Sequence, residues 1–167
     1  DSYNDIWEQV TELGAATMDD TSGSLSSVGA LQGDSTIAGI KNRLRSIVGS
    51  VISDPTVADE SMNSLYKLGI WFNKDDDEDD EGYLSIYDED KLDAALEDNY
   101  DEVKDFFRAY GTNNSGGGIM RQLDTYLEGL TSYGDGVISF RMSTLSDEID
   151  EKEDKIDYLE ADLEKYQ

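Results

Sequence analysis

The sequence predicts a mainly α chain with one small β-hairpin, an α+β fold in which a helical-bundle head carries a long C-terminal coiled-coil helix. Three observations predict it. Apolar residues recur at helical spacing in several separate stretches. Strand-type patterning is confined to two short runs near 70–87. From Ile138 onward the apolar positions step by four and three: Ile138, Met142, Leu145, Ile149, Ile156, Leu159, Leu163 and Tyr166, broken only by Lys152. That is the a/d seam of a coiled coil, sustained for about four heptads. The expected division is a head over 1–136 and a coiled-coil stalk helix over 137–167.

The elements follow in order. Tyr3, Ile6, Trp7, Val10 and Leu13 fall on one helical face, and Gly14 offers a stop. Ala15 to Gly33 is rich in Ser, Gly and Thr without a period, which predicts a long loop. Asp34 or Ser35 can cap a second helix lined by Ile37, Ile40, Leu44, Ile47, Val48 and Val51. Lys41, Arg43 and Arg45 lie near that stripe, a local excess of positive charge. Asp54-Pro55 closes this part, and Pro55 is the single proline of the chain. Ile70-Trp71-Phe72 and the alternating Tyr83 to Tyr87 read as two strands, joined across the acidic run Lys74 to Gly82. A lone hairpin is marginal in water, so this one is expected to lean on helices.

Asp88 is placed to cap a short helix carrying Leu92, Ala95 and Leu96. Another carries Val103, Phe106, Phe107 and Tyr110. After a break at Asn113 to Gly118, Ile119, Leu123, Tyr126, Leu127 and Leu130 line a further amphipathic helix. Tyr133-Gly134-Asp135-Gly136 is a turn into the last helix, where Glu148–Lys152 and Glu151–Lys155 are i,i+4 pairs in the favourable order. The seam nearest Ile138 is expected to pack on its own domain. From Leu159 onward it is expected to need a helix from elsewhere, because the helix would extend about 45 Å at 1.5 Å per residue. The chain opens on Asp1 rather than Met and the seam still runs at Tyr166, as expected of a segment of a longer protein.

Bulk charge narrows the function. The 167 residues carry 39 acids against 13 bases, a net charge of -26. Such a surface repels phosphate, so neither nucleic acid nor anionic membrane is an expected partner. There is no Cys and no His, which excludes disulfides, thiol chemistry, Ser-His triads and typical zinc sites. No apolar run is long enough to span a bilayer.

The acidic run is the one candidate for a metal. Asp77, Asp79 and Glu81 match positions one, three and five of an EF-hand-like loop, with Gly82 at six and Asp88 at twelve. Against calcium, Asp88 stands where a bidentate Glu is usual, and the flanks read as strands rather than helices. Carboxylate pairs of glycosidase type are inevitable among 39 acids and carry no information. Gly116-Gly117-Gly118 follows no strand and has no neighbouring Lys, so it is no phosphate loop. No cofactor and no enzyme activity are expected. The alternative to a structural role is a calcium-binding extracellular adhesion module built on 75–88.

A resemblance covers nearly the whole chain. Gly33-Asp34-Ser35-Thr36 precedes a helix with Leu44-Arg45-Ser46, and Ser64-Leu65-Tyr66-Lys67-Leu68-Gly69-Ile70 follows. Then come Gly82-Tyr83-Leu84-Ser85-Ile86-Tyr87-Asp88, Lys91-Leu92-Asp93-Ala94-Ala95-Leu96 and Val103-Lys104-Asp105-Phe106-Phe107. Last is Gly136-Val137-Ile138, opening the coiled coil. In this order they look like the C-terminal region of the bacterial flagellar filament cap protein, hook-associated protein 2. The acid-rich hairpin tip departs from that family, which usually has a short turn there. The resemblance implies a secreted, extracellular structural protein of the bacterial flagellum. It implies a homo-oligomeric ring, often a pentamer, that holds flagellin at the filament tip and promotes its polymerisation. Flagellin and other hook or junction proteins are the implied partners. The resemblance also implies a leg in which the last helix pairs with one from the parent's N-terminal end. Some relatives also adhere to host mucus.

Overall fold

The computed structural model describes residues 2–18, 25–54, 56–72, 82–111 and 116–166. They comprise six α-helices, two 3₁₀ turns and two small antiparallel sheets, a mainly α fold. The chain divides into two units, Asp1–Leu123 and Asp124–Gln167.

In the first unit, α1 (Ser2–Gly14) packs on α2 (Ser35–Val48). Trp7 is the buried residue of α1, and Ile37, Ile40, Leu44, Ile47 and Val48 are those of α2. Asp34 caps α2 by accepting from the Thr36 N–H at 2.7 Å, a contact typically worth about 1 kcal/mol. The helix ends at Val48 with Gly49 as its C-cap. Val51, expected on the apolar stripe, lies beyond that end and is exposed.

Between the two helices the expected long loop is partly a sheet. Strands β1 (Ala16–Met18) and β2 (Leu25–Val28) pair antiparallel, with a register shift between Thr17 and Met18. Backbone hydrogen bonds extend the pairing, Gly29 N–H to Ala15 O at 2.7 Å and Leu31 N–H to Leu13 O at 2.9 Å. Three and four residues are too few for alternation to register in the sequence, and backbone pairing needs no particular side chains.

The expected hairpin is present. Strands β3 (Ile70–Phe72) and β4 (Leu84–Ile86) pair antiparallel with Ile70 opposite Ile86, Trp71 opposite Ser85 and Phe72 opposite Leu84. It leans on neighbours as a short hairpin must. Asn4 of α1 clamps the backbone of Leu84: its Nδ2 donates to the Leu84 carbonyl at 3.0 Å and its Oδ1 accepts from the Leu84 N–H at 2.8 Å. Gly82 lies flat against the Trp7 indole, so close that a Cβ there would fall 1.8 Å from ring atoms. The 3₁₀ turns Glu60–Met62 and Leu65–Leu68 pack on one another, and the second also packs on β3.

Helices α3 (Glu89–Asp98) and α4 (Tyr100–Arg108) complete this unit. Asp88 caps α3, its Oδ1 accepting from the Lys91 N–H at 3.0 Å. The most buried large side chains are Phe106, Leu44, Leu68, Ile119 and Val57. They come from α4, α2, the second 3₁₀ turn, the start of α5 (Ile119–Thr131) and the 52–58 connection, so segments distant in sequence supply one core. The unit boundary falls within α5. In the second unit Leu130 is buried, and a turn through Gly134 leads to Gly136, which precedes α6 (Val137–Glu164).

Tyr3 is among four residues with a buried side-chain polar atom lacking a hydrogen-bond partner among the described residues. Tyr3 stacks on Trp7 with ring centroids 6.3 Å apart, yet its hydroxyl has no hydrogen-bond partner among the described residues. Burial pushes its pKa up from 10.0 to about 12, against the opposing pull of Arg45. The folded state thus favours the neutral phenol. Its stabilising contribution is full below pH 10.0 and fades as pH rises through about 12. Tyr3→Phe is expected to raise stability by about 1 kcal/mol at pH 7, because it removes an unsatisfied hydroxyl. It should also blunt the loss of stability above pH 10.0. Urea denaturation at pH 7 and at about pH 11 checks both effects.

Candidate functional site

Helix α6 is 28 residues long, about 42 Å of rod, and none of its residues is buried. Every seam position predicted from the heptads lies on it or, for Tyr166, just past its end. Ile138, Met142, Ile149, Ile156, Leu159, Leu163 and Tyr166 are exposed, over a range from 42% at Ile138 to 84% at Tyr166, and Leu145 is half-buried. Ile138 and half-buried Leu145 are the least exposed of the set, and Met142 between them is 67% exposed. An apolar stripe of this length, broken only at Lys152, is unusual on a protein surface.

The edges of the stripe are charged. Taking Met142, Ile149, Ile156 and Leu163 as a positions puts Arg141, Glu148, Lys155 and Asp162 at g, and Ser139, Ser146, Glu153 and Glu160 at e. The structure shows the g edge directly, since Arg141 Nη1 lies 3.7 Å from Glu148 Oε1, two turns along the same side.

The other sequence candidate fares differently. Asp77, Asp79 and Glu81 lie outside the described residues. Asp88 spends its carboxylate on the α3 cap. Among the described residues no group of three or more acids is disposed to hold a metal ion. No helix of the described residues is long and apolar enough to cross a membrane.

The few basic residues have a use that sequence alone did not reveal. Lys41 sits over Trp7 at 4.8 Å and Arg45 over Phe72 at 4.9 Å. Lys91 sits over Tyr66 at 5.1 Å and Arg121 over Tyr110 at 3.4 Å. Each such contact stabilises by about 0.5–1 kcal/mol where exposed. Lys91 also donates to the Tyr87 hydroxyl at 3.1 Å, which raises its pKa. Tyr66 in turn stacks on Tyr87 and meets Trp71 edge-on. The cluster Lys41, Arg43 and Arg45 is thus in good part a brace for aromatic rings. The spacing of Lys41 and Arg45 on one helical face was visible in the sequence, but not the rings they would meet.

Helix α6 thus carries an apolar stripe left largely exposed along a rod, a feature common among structural and assembly proteins. The family model for the C-terminus of flagellar hook-associated protein 2 matches residues 1–167, and the chain belongs to that family. The family's role is structural, in the filament cap of the bacterial flagellum. It implies association with flagellar filament components and oligomerisation. No curated protein and no solved structure matches the chain.

Proposed function

We propose that this chain is the C-terminal segment of a filament cap that sits outside the cell, holds exported flagellin at the filament tip and promotes its polymerisation. In this reading residues 1–136 are its head and 137–167 its coiled-coil helix. The exposed α6 seam carries the proposal: Ile138, Met142, Leu145, Ile149, Ile156, Leu159, Leu163 and Tyr166 form the coiled-coil interface, covered by a second helix in the assembled cap. Flagellin and hook or junction proteins are the partners, and the intact protein is a homo-oligomeric ring. Electron microscopy of the purified full-length protein tests this. Rings are expected, and a strictly monomeric protein at high concentration overturns it.

The seam has its own test. Ile156→Asp with Leu159→Asp in the full-length protein removes two apolar side chains and puts charges in their place. The expected loss is about 3 kcal/mol or more of leg stability, read as a lower thermal midpoint and fewer assembled rings. An unchanged midpoint with intact assembly would show that the seam is not buried.

A further inference from the structure

We infer that the cavity where α1 meets α2 takes a carboxylate carried on a short apolar body, with Lys41 as its counter-ion. The cavity measures about 330 Å³, the lower end of the range that holds small molecules. Ala15, Leu31 and Ile37 give it an apolar wall, and Thr11, Asp34 and Lys41 bring polar groups. All of these residues belong to the first unit.

Charge singles out Lys41. The chain carries 39 acids against 13 bases, yet α2 has Lys41, Arg43 and Arg45 and no acid from Ser35 to Val48. Lys41 is half-buried, rests over the Trp7 ring and pairs with no carboxylate among the described residues. With acids in such excess, a lysine left without one is the exception. A partly desolvated ammonium that lacks a counter-ion draws an anion from outside.

Thr11 adds a second unmet demand. It stands one turn along α1 from Trp7, and its hydroxyl is buried with no hydrogen-bond partner among the described residues. Buried hydroxyls are nearly always paired. A carboxylate on this wall accepts from both the Thr11 hydroxyl and the Lys41 ammonium, and both bonds are charge-assisted. The start of α2 is not the attraction, because Asp34 already fills it by accepting from the Thr36 N–H at 2.7 Å. Asp34 instead sets the polarity of the cavity. It precedes Lys41 by seven residues, about 10 Å along α2. The anionic end of a ligand therefore belongs at Lys41, and a second anionic group would meet Asp34. That selects a monocarboxylate whose apolar body lies on Leu31 and Ile37. A free organic acid and the C-terminal carboxylate of a polypeptide share this chemistry.

Amide NMR spectra of the full chain titrated with isocaproate test the inference. Saturable shifts at Thr11, Ile37 and Lys41 are expected, with a dissociation constant of about 1 mM for a ligand this small. Lys41→Met, whose stem still covers Trp7, should weaken binding about ten-fold. Thr11→Val removes an unpaired hydroxyl and should weaken binding about three-fold with no loss of stability. Arg43→Met removes the same charge from an exposed site outside the cavity lining, and should change binding less than about two-fold. Isocaproamide, which has no charge, and succinate, which has two, should each bind about ten-fold more weakly than isocaproate. The peptide Ala-Ala-Ala-Leu distinguishes the sources. Binding tighter than isocaproate, and lost in its C-terminal amide, points to a chain terminus, and weaker binding points to a free acid. No saturable shift at about 20 mM isocaproate overturns the inference. So does equal binding of isocaproamide, or an equal loss in Lys41→Met and Arg43→Met.

Discussion

Truncating Phe106 to alanine is expected to cost the first unit about 3–5 kcal/mol, a loss of the size that empties a core. Phe106 is 0% exposed, one of the most buried large side chains of the chain. It meets Phe107 edge-on at 5.1 Å. Its own helix packs on α3 and on the Glu60–Met62 turn. The chain returns over it at Gly118, where an added Cβ would lie 2.7 Å from the Phe106 carbonyl oxygen. A side chain this fully buried leaves a large cavity on truncation, which puts the expected cost toward the upper end. Domains are stable by about 5–15 kcal/mol, so the variant should unfold at a much lower urea concentration. Phe107→Ala is the control. Phe107 is only half-buried, and about half the effect is expected. Urea denaturation followed by tryptophan fluorescence reads both, and equal midpoints for the two variants would contradict the account.

The contrast between these neighbours shows what the sequence could tell and what it could not. Phe106 and Phe107 lie at i+3 and i+4 from Val103, so helical spacing puts both on one face and does not choose between them. How deeply either sinks depends on the Glu60–Met62 turn and on Gly118, which reach α4 from elsewhere in the chain. Features set locally were legible: the caps at Asp34 and Asp88, the β3–β4 hairpin, and the start of the last helix after Gly136. Each is a few residues obeying one rule. The β1–β2 pair was not, because its strands carry no alternation and are held by backbone hydrogen bonds. Nor was Asn4, whose amide imitates a strand edge for Leu84 across 80 residues of sequence.

The seam was legible for the opposite reason. Its period is a property of one uninterrupted helix, so no distant contact is needed to see it. Its charge edges followed only when the helix was found continuous from Val137 to Glu164, since a break would have rotated one half against the other.

Gly69→Ala is expected to cost about 3 kcal/mol or more. Gly69 caps the second 3₁₀ turn in the left-handed region at φ 77°, where a Cβ is strained. The same Cβ would lie 2.3 Å from the Asp88 carbonyl oxygen. That oxygen is backbone and cannot swing aside as a side chain would. Asp88 itself is held, since its N–H and that of Tyr87 both donate to the Gly69 carbonyl, at 3.3 and 2.9 Å. Relieving the clash means opening the corner where the hairpin passes into α3. Two other glycines separate the causes. Gly33 has φ 78° with nothing within 4 Å of its Cβ position, so Gly33→Ala carries strain alone, about 1 kcal/mol. Gly39 sits inside α2 with equally open space and no positive φ, so Gly39→Ala should stabilise by about 0.5–1 kcal/mol. Thermal denaturation of the three variants should give a small rise, a small fall and a large fall. If Gly69→Ala fell no further than Gly33→Ala, the close approach of Asp88 would not be holding this corner shut.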